Sequence, residues 1–150
     1  MLMAYAGIGG VFLAFSDFIM RSFDLVRNQA GIETMQVLNV EIMRSVFMVL
    51  FMGLAILSLV IVVYAAINLE GTARSLLLLA GISYLVGVFA VTAAGNVPLN
   101  NQLAAMDPST AQALTFWKER YMTRWVNLNS FRAIACFLAS GLTLAALITR

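Results

Sequence analysis

The chain has 150 residues, 62% of them hydrophobic and 11% charged, with a net charge of +2. A soluble domain carries about 25% charged residues, so a water-exposed globule is excluded and one integral membrane domain over residues 1–150 is expected. The nine basic residues are scattered, which argues against nucleic acid as a partner, and the absence of histidine with a single cysteine leaves no cluster for a metal or haem. No metal or haem intrinsic to the chain is therefore expected.

Met1 opens an apolar stretch without a basic lead, so no cleaved signal peptide is expected. Met1–Arg21 is long enough to span about 30 Å of hydrocarbon. Ala6, Gly10 and Ala14 fall four apart, a spacing that lets a neighbouring helix come close. Asp17 and Arg21 are also four apart, acid first, as in a helical ion pair. Asp17 has a second reading, because ionisable groups at membrane depth usually face a cavity or a partner. Residues 31–45 read as an amphipathic connecting helix, with Ile32, Met35, Leu38 and Ile42 on one face and Glu33, Gln36 and Glu41 mostly elsewhere.

The second span is Val46–Ile67, with no charge along its length. A short turn at Asn68–Thr72 makes spans two and three antiparallel neighbours. The third span, Ser75–Ala94, runs into Gly95-Asn96-Val97-Pro98-Leu99-Asn100-Asn101. Pro98 cannot donate a backbone hydrogen bond and disfavours a helical Val97, so the helix should end near Asn96. The three asparagines are then either polar caps or a polar pocket at the mouth of a bundle.

Asp107-Pro108 has the form of an N-cap followed by a first-turn proline. The helix it opens carries Trp117, Tyr121, Trp125, Asn129 and Arg132. At 100° per residue these five lie on one arc about 120° wide, provided the helix is unbroken. An interfacial aromatic belt would account for the rings, but it does not require Asn129 and Arg132 in the same stripe. Asn129–Thr149 forms the fourth span, closed by Arg150. Seven basic residues (Arg21, Arg27, Arg44, Lys118, Arg120, Arg124, Arg132) fall on one side and two (Arg74, Arg150) on the other. The positive-inside rule then places loops one and three in the cytoplasm and both termini outside. The expected fold is an all-α membrane protein: a four-transmembrane-helix bundle with an amphipathic interfacial helix in loop 1 and another before helix 4.

Four pieces of the sequence carry a resemblance. They are Phe15-Ser16-Asp17-Phe18-Ile19-Met20; Met35-Gln36 with Asn39; Asn96-Val97-Pro98-Leu99-Asn100-Asn101-Gln102-Leu103; and Trp117, Tyr121, Trp125, Asn129 and Arg132. With them the chain resembles the anthrone-oxygenase-like family of four-helix integral membrane proteins, long carried as a domain of unknown function. The resemblance covers essentially the whole chain and implies a bacterial inner-membrane protein. It also implies oxidation of a reduced polycyclic phenol by molecular oxygen, without a cofactor. Many members have proline where this chain has Arg21, and histidine where it has Ser130.

Such chemistry needs a proton removed from an acidic carbon or phenol, and an anion that then gives an electron to oxygen. Trp117, Tyr121 and Trp125 are the candidate aromatic slot. Arg132, Asn96, Asn100 and Asn129 are candidates for holding the oxyanion and the substrate. Asp17 is the candidate base, with Glu41 behind it. Three readings stay open: a cofactor-free oxygenase, an accessory subunit packed against other integral membrane proteins or in a homo-oligomer, and a binding or transport protein for an amphipathic small molecule, with a hydrophobic aromatic one as the candidate ligand.

Overall fold

In a computed structural model the described residues, 1–149, form five helices and no strand. Arg150, expected to close the last span, lies outside them, as does the side chain of Asn28. The helices are α1 (Leu2–Leu25), α2 (Asn28–Glu41), α3 (Val46–Asn68), α4 (Gly71–Ala104) and α5 (Ala111–Ile148). All except α2 are long and apolar enough to cross a membrane, and the chain is an integral membrane protein. Only Leu69 and Glu70 separate α3 from α4, and Gly71 begins α4 at φ +65°, a conformation that glycine adopts without steric cost. The two helices are therefore antiparallel neighbours.

Length divides the molecule into two layers. At 1.5 Å per residue, the 34 residues of α4 and the 38 of α5 extend about 51 and 57 Å, well beyond a hydrocarbon slab of about 30 Å. Within the bundle, α1 packs along α5, α5 along α4 and α4 along α3; the seam between α1 and α3 is the loosest of the four. Tyr5, Phe12, Phe51, Tyr84 and Cys136 form its core. The second layer holds the end of α1, all of α2, the end of α4 and the start of α5. Its core is Met20, Ile32, Met35, Leu103, Trp117 and Tyr121. The apolar face read for the connecting segment is the face that α2 buries here: Ile32 and Met35 are fully buried, while Glu33 and Glu41 are exposed.

Three local expectations change. First, α4 does not stop at Asn96. Its backbone widens into π-helical turns at Leu85–Ala90 and Thr92–Asn96, directly ahead of Pro98, and Val97 stays helical at φ −60°, ψ −46°. A wide turn lets a helix pass a residue that lacks an N–H. The helix ends instead at Ala104, where Gln36 Nε2 donates to Leu103 O (2.8 Å) and Met106 O (2.9 Å). Second, Asp107 organises a turn rather than capping a helix. Its Oδ1 accepts from the Ser109 hydroxyl (2.7 Å) and N–H (2.9 Å), and these bonds hold its carboxyl below the usual carboxylate range. The cap of α5 is Thr110, whose Oγ1 accepts from Ala113 N. From there the helix runs unbroken through the fourth span.

Third, the close approach of α1 to α5 is at Gly9, where an added Cβ would stand 2.9 Å from Cys136 Cβ; Gly10 faces open space. Another close crossing joins α1 to α2. A Cβ on Gly31 would lie 2.1 Å from the carbonyl oxygen of Phe23, which is backbone and cannot turn aside. Gly31→Ala should therefore lower stability by about 1–3 kcal/mol, the usual cost of overpacking, despite alanine's better helix propensity. Gly10→Ala should be neutral or stabilising by up to about 1 kcal/mol. Thermal unfolding in detergent compares the two, and equal midpoints would contradict the assigned crossing.

Candidate functional site

The site lies where the two layers meet, and helical spacing assembles it. On α4, Thr92, Asn96 and Asn100 follow one another at intervals of four; on α5, Trp125, Asn129 and Arg132 do so at four and three. Both spacings keep side chains on one helix face. α1 adds Phe12, and α2 adds Asn39. These residues border a cavity of about 110 Å³ whose remaining walls are apolar, among them Phe15, Leu38, Phe47, Met48 and Phe51.

Arg132 is the centre. It is 5% exposed. One terminal nitrogen donates to Thr92 Oγ1 (2.9 Å) and the other to Asn129 Oδ1 (2.7 Å). Thr92 accepts while its own hydroxyl donates to Val88 O (2.7 Å). Asn129 is fixed from its other end, where Nδ2 donates to Phe12 O and Ser16 Oγ, both at 2.6 Å. The guanidinium carbon sits 4.2 Å from the centre of the Phe12 ring and 5.6 Å from that of Trp125, in range for cation–π attraction. Every hydrogen-bond acceptor that Arg132 meets is neutral, and no carboxylate lines the cavity among the described residues. A guanidinium carries five N–H donors; Arg132 Nε is buried without a partner, as are Asn96 Oδ1 and Asn39 Nδ2.

Below the cavity stands an aromatic column. Trp117, Tyr121 and Trp125 stack with ring centres 5.3 and 6.2 Å apart and planes tilted by 14° and 18°. Trp117 and Tyr121 belong to a π-helical turn at Phe116–Tyr121. Asn100 Oδ1 ties the column to α4 by accepting from Tyr121 OH (2.8 Å) and Trp125 Nε1 (2.9 Å). Trp117 Nε1 donates to Asp24 Oδ1 (3.0 Å), fixing the end of α1.

The residues picked out in the sequence thus divide. Asn96, Asn100, Trp125, Asn129 and Arg132 border the cavity. Asn96 Nδ2 is turned to Trp125 O (3.2 Å) rather than to Arg132. Trp117 and Tyr121 are fully buried but do not line it; their rings are in contact, so no gap remains between them for a planar ligand. Asp17, the expected base, is exposed and does not line the cavity. The residue before it, Ser16, faces Asn129, and a step of about 100° turns the next side chain outward. Glu41 is likewise exposed and off the cavity. Among the described residues no three His, Cys, Asp or Glu converge as a metal site. Thr92 and Ser16 are the members that sequence spacing alone did not mark; Thr92 could have been found as the position one turn before Asn96.

The double acceptance at Asn100 makes a graded prediction. Asn100→Leu orphans two buried donors at about 1–3 kcal/mol each, and should cost roughly 2–5 kcal/mol. Tyr121→Phe leaves Asn100 still served by Trp125 and should cost only about 1 kcal/mol. Chemical unfolding of the two variants in detergent measures the order, and a reversed order would show that Asn100 does not hold the column.

Comparison with known proteins gives a family match. The family model described as anthrone oxygenase matches residues 43–142, a segment that includes α3, α4 and the site-bearing part of α5. Searches of curated proteins and of solved structures returned no match. With two thirds of its length matched, including every cavity residue on α3, α4 and α5, the chain belongs to the anthrone oxygenase family.

Proposed function

We propose that the cavity binds a planar hydrophobic phenol as its anion and promotes its oxidation by dioxygen without a cofactor. The observation that carries this reading is the buried Arg132 guanidinium, whose hydrogen-bond partners are all neutral. A buried cation without a counter-charge costs several kcal/mol; an anionic ligand in the cavity would supply one. Trp125 and Phe12 offer ring faces and edges, and Asn96 and Asn39 carry the remaining unpartnered polar atoms beside the cavity.

The chemistry follows from that charge. A reduced polycyclic phenol with a ring CH₂ loses a proton to water, and Arg132 favours the anion by lowering its basicity. The anion transfers an electron to dioxygen, the two radicals join through a C–O bond, and loss of water from the hydroperoxide leaves a ketone. The sum is R₂CH₂ + O₂ → R₂CO + H₂O. The residues lining the cavity include no carboxylate or histidine, so Arg132 acts on the equilibrium of ionisation and the solvent takes the proton. Because no base borders the cavity, a protein that only binds the same anion is the second reading, and turnover separates the two.

Arg132→Lys is the decisive variant. An ammonium keeps the charge but cannot hold Thr92 and Asn129 with a planar fork. In proteoliposomes supplied with a reduced tricyclic phenol, the wild-type chain should consume oxygen. The variant should still fold, with a lowered unfolding temperature because two buried hydrogen bonds are lost, and lose about 10²–10³-fold in kcat/KM, the scale for one oriented donor to a developing anion. Binding without oxygen consumption by the wild type would favour the binding reading. Unchanged kcat/KM in the variant would contradict the role given to Arg132.

A further inference from the structure

The walls of the cavity change character with depth. Its exposed lining residues are Val11, Met43 and Val97, at 38%, 64% and 41%, and all three are apolar. Of its polar residues, Asn96, Asn129 and Arg132 are buried and Asn39, Thr92 and Asn100 half-buried; none is exposed. We propose that this apolar rim is a lateral portal, through which a lipophilic phenol dissolved in the bilayer enters between α1 and the start of α3, rather than from water. The inference rests on the reading of the cavity as a ligand site.

Three features support it. The seam between α1 and α3 is the loosest in the bundle, closed by the Tyr5–Ser58 hydrogen bond (2.8 Å) and the Phe12–Phe47 edge contact (5.8 Å between ring centres). The surface beside the opening is itself apolar and outward-facing: Val46 is 75% exposed and Val49 72%, on a helix without a charge from Val46 to Ile67. A mouth set in such a surface adjoins hydrocarbon. The third feature is the rim's capacity to yield. A cavity of about 110 Å³ is smaller than the roughly 300–1,000 Å³ of small-molecule sites, so a tricyclic ligand must displace side chains to enter. Met43 and Met48 border the cavity, and an unbranched thioether chain repacks at low cost. Met43 also lies on the short turn Ile42–Arg44, where Ser45 interrupts the helix between α2 and α3 at ψ 158°.

The test uses the full chain in phosphatidylcholine nanodiscs. On a Cys136→Ala background, a nitroxide is attached at Met43→Cys or Val97→Cys, and its relaxation by dissolved oxygen is compared with that by a water-soluble nickel chelate. Oxygen should dominate several-fold at both positions. In parallel, an alkyl-tailed phenol confined to the bilayer and a sulfonated phenol confined to water are titrated against the tryptophan fluorescence of the unlabelled wild type. Only the alkyl-tailed phenol should quench, at a rate set by its mole fraction in lipid. Dominance of the nickel chelate with binding intact, or equal quenching by both phenols, would overturn the portal alone. Failure of both phenols to bind would overturn the ligand reading and the portal with it.

Discussion

A buried guanidinium sets the constraints on this molecule. Arg132 is held among apolar helices by neutral acceptors and two aromatic rings. A charge in such a place demands that each acceptor be fixed, because a misplaced one leaves the desolvation cost unmet. The surrounding contacts answer that demand one shell outward. Asn129 is anchored on Phe12 O and Ser16 Oγ, and Thr92 on Val88 O. Three helices therefore converge on one side chain, and the crossings at Gly9 and Gly87, where added Cβ atoms would stand 2.9 and 2.7 Å from Cys136 and Ala135, let α1 and α4 come close enough to α5 to reach it.

Helix irregularity is the device that aligns these groups. π-helical turns occur in α1 (Phe15–Ile19), in α4 (Leu85–Ala90 and Thr92–Asn96) and in α5 (Phe116–Tyr121). All lie next to the cavity or in the layer beneath it. Each turn inserts extra backbone and rotates the following side chains, and the one at Thr92–Asn96 carries α4 past Pro98. The result is a helix that stays continuous to Ala104 and presents Asn96 and Asn100 at successive levels, one at Trp125 O and the other at the polar edges of Trp125 and Tyr121.

Much of this was legible in the chain itself. Four charge-poor runs mark the spans, since a hydrocarbon slab excludes anything else at that length. The stripe from Trp125 to Arg132 was legible because helical spacing fixes which residues share a face. What was hidden depends on residues distant in sequence. The persistence of α4 beyond Pro98 relies on a cap from Gln36, on another helix. The rings form a column rather than a slot because their polar edges reach Asp24 and Asn100, on α1 and α4. Thr92 bonds to its own helix, as helical threonines commonly do, and its second bond, accepted from Arg132, comes from another helix. Asp17 lies exposed and off the cavity, with the neighbouring Ser16 turned to Asn129 instead.

The central claim is that Arg132 holds a phenol as its anion, and the pH at which a bound phenol ionises tests it most directly. A cation beside the oxygen lowers the phenol's pKa, by one unit for each 1.4 kcal/mol of differential stabilisation. In vesicles carrying the wild-type chain, the phenolate absorption band of a bound tricyclic phenol should appear roughly one to two units lower in pH than in vesicles carrying Arg132→Gln. Superimposable titration curves for the two proteins, with the phenol bound in both, would contradict the account.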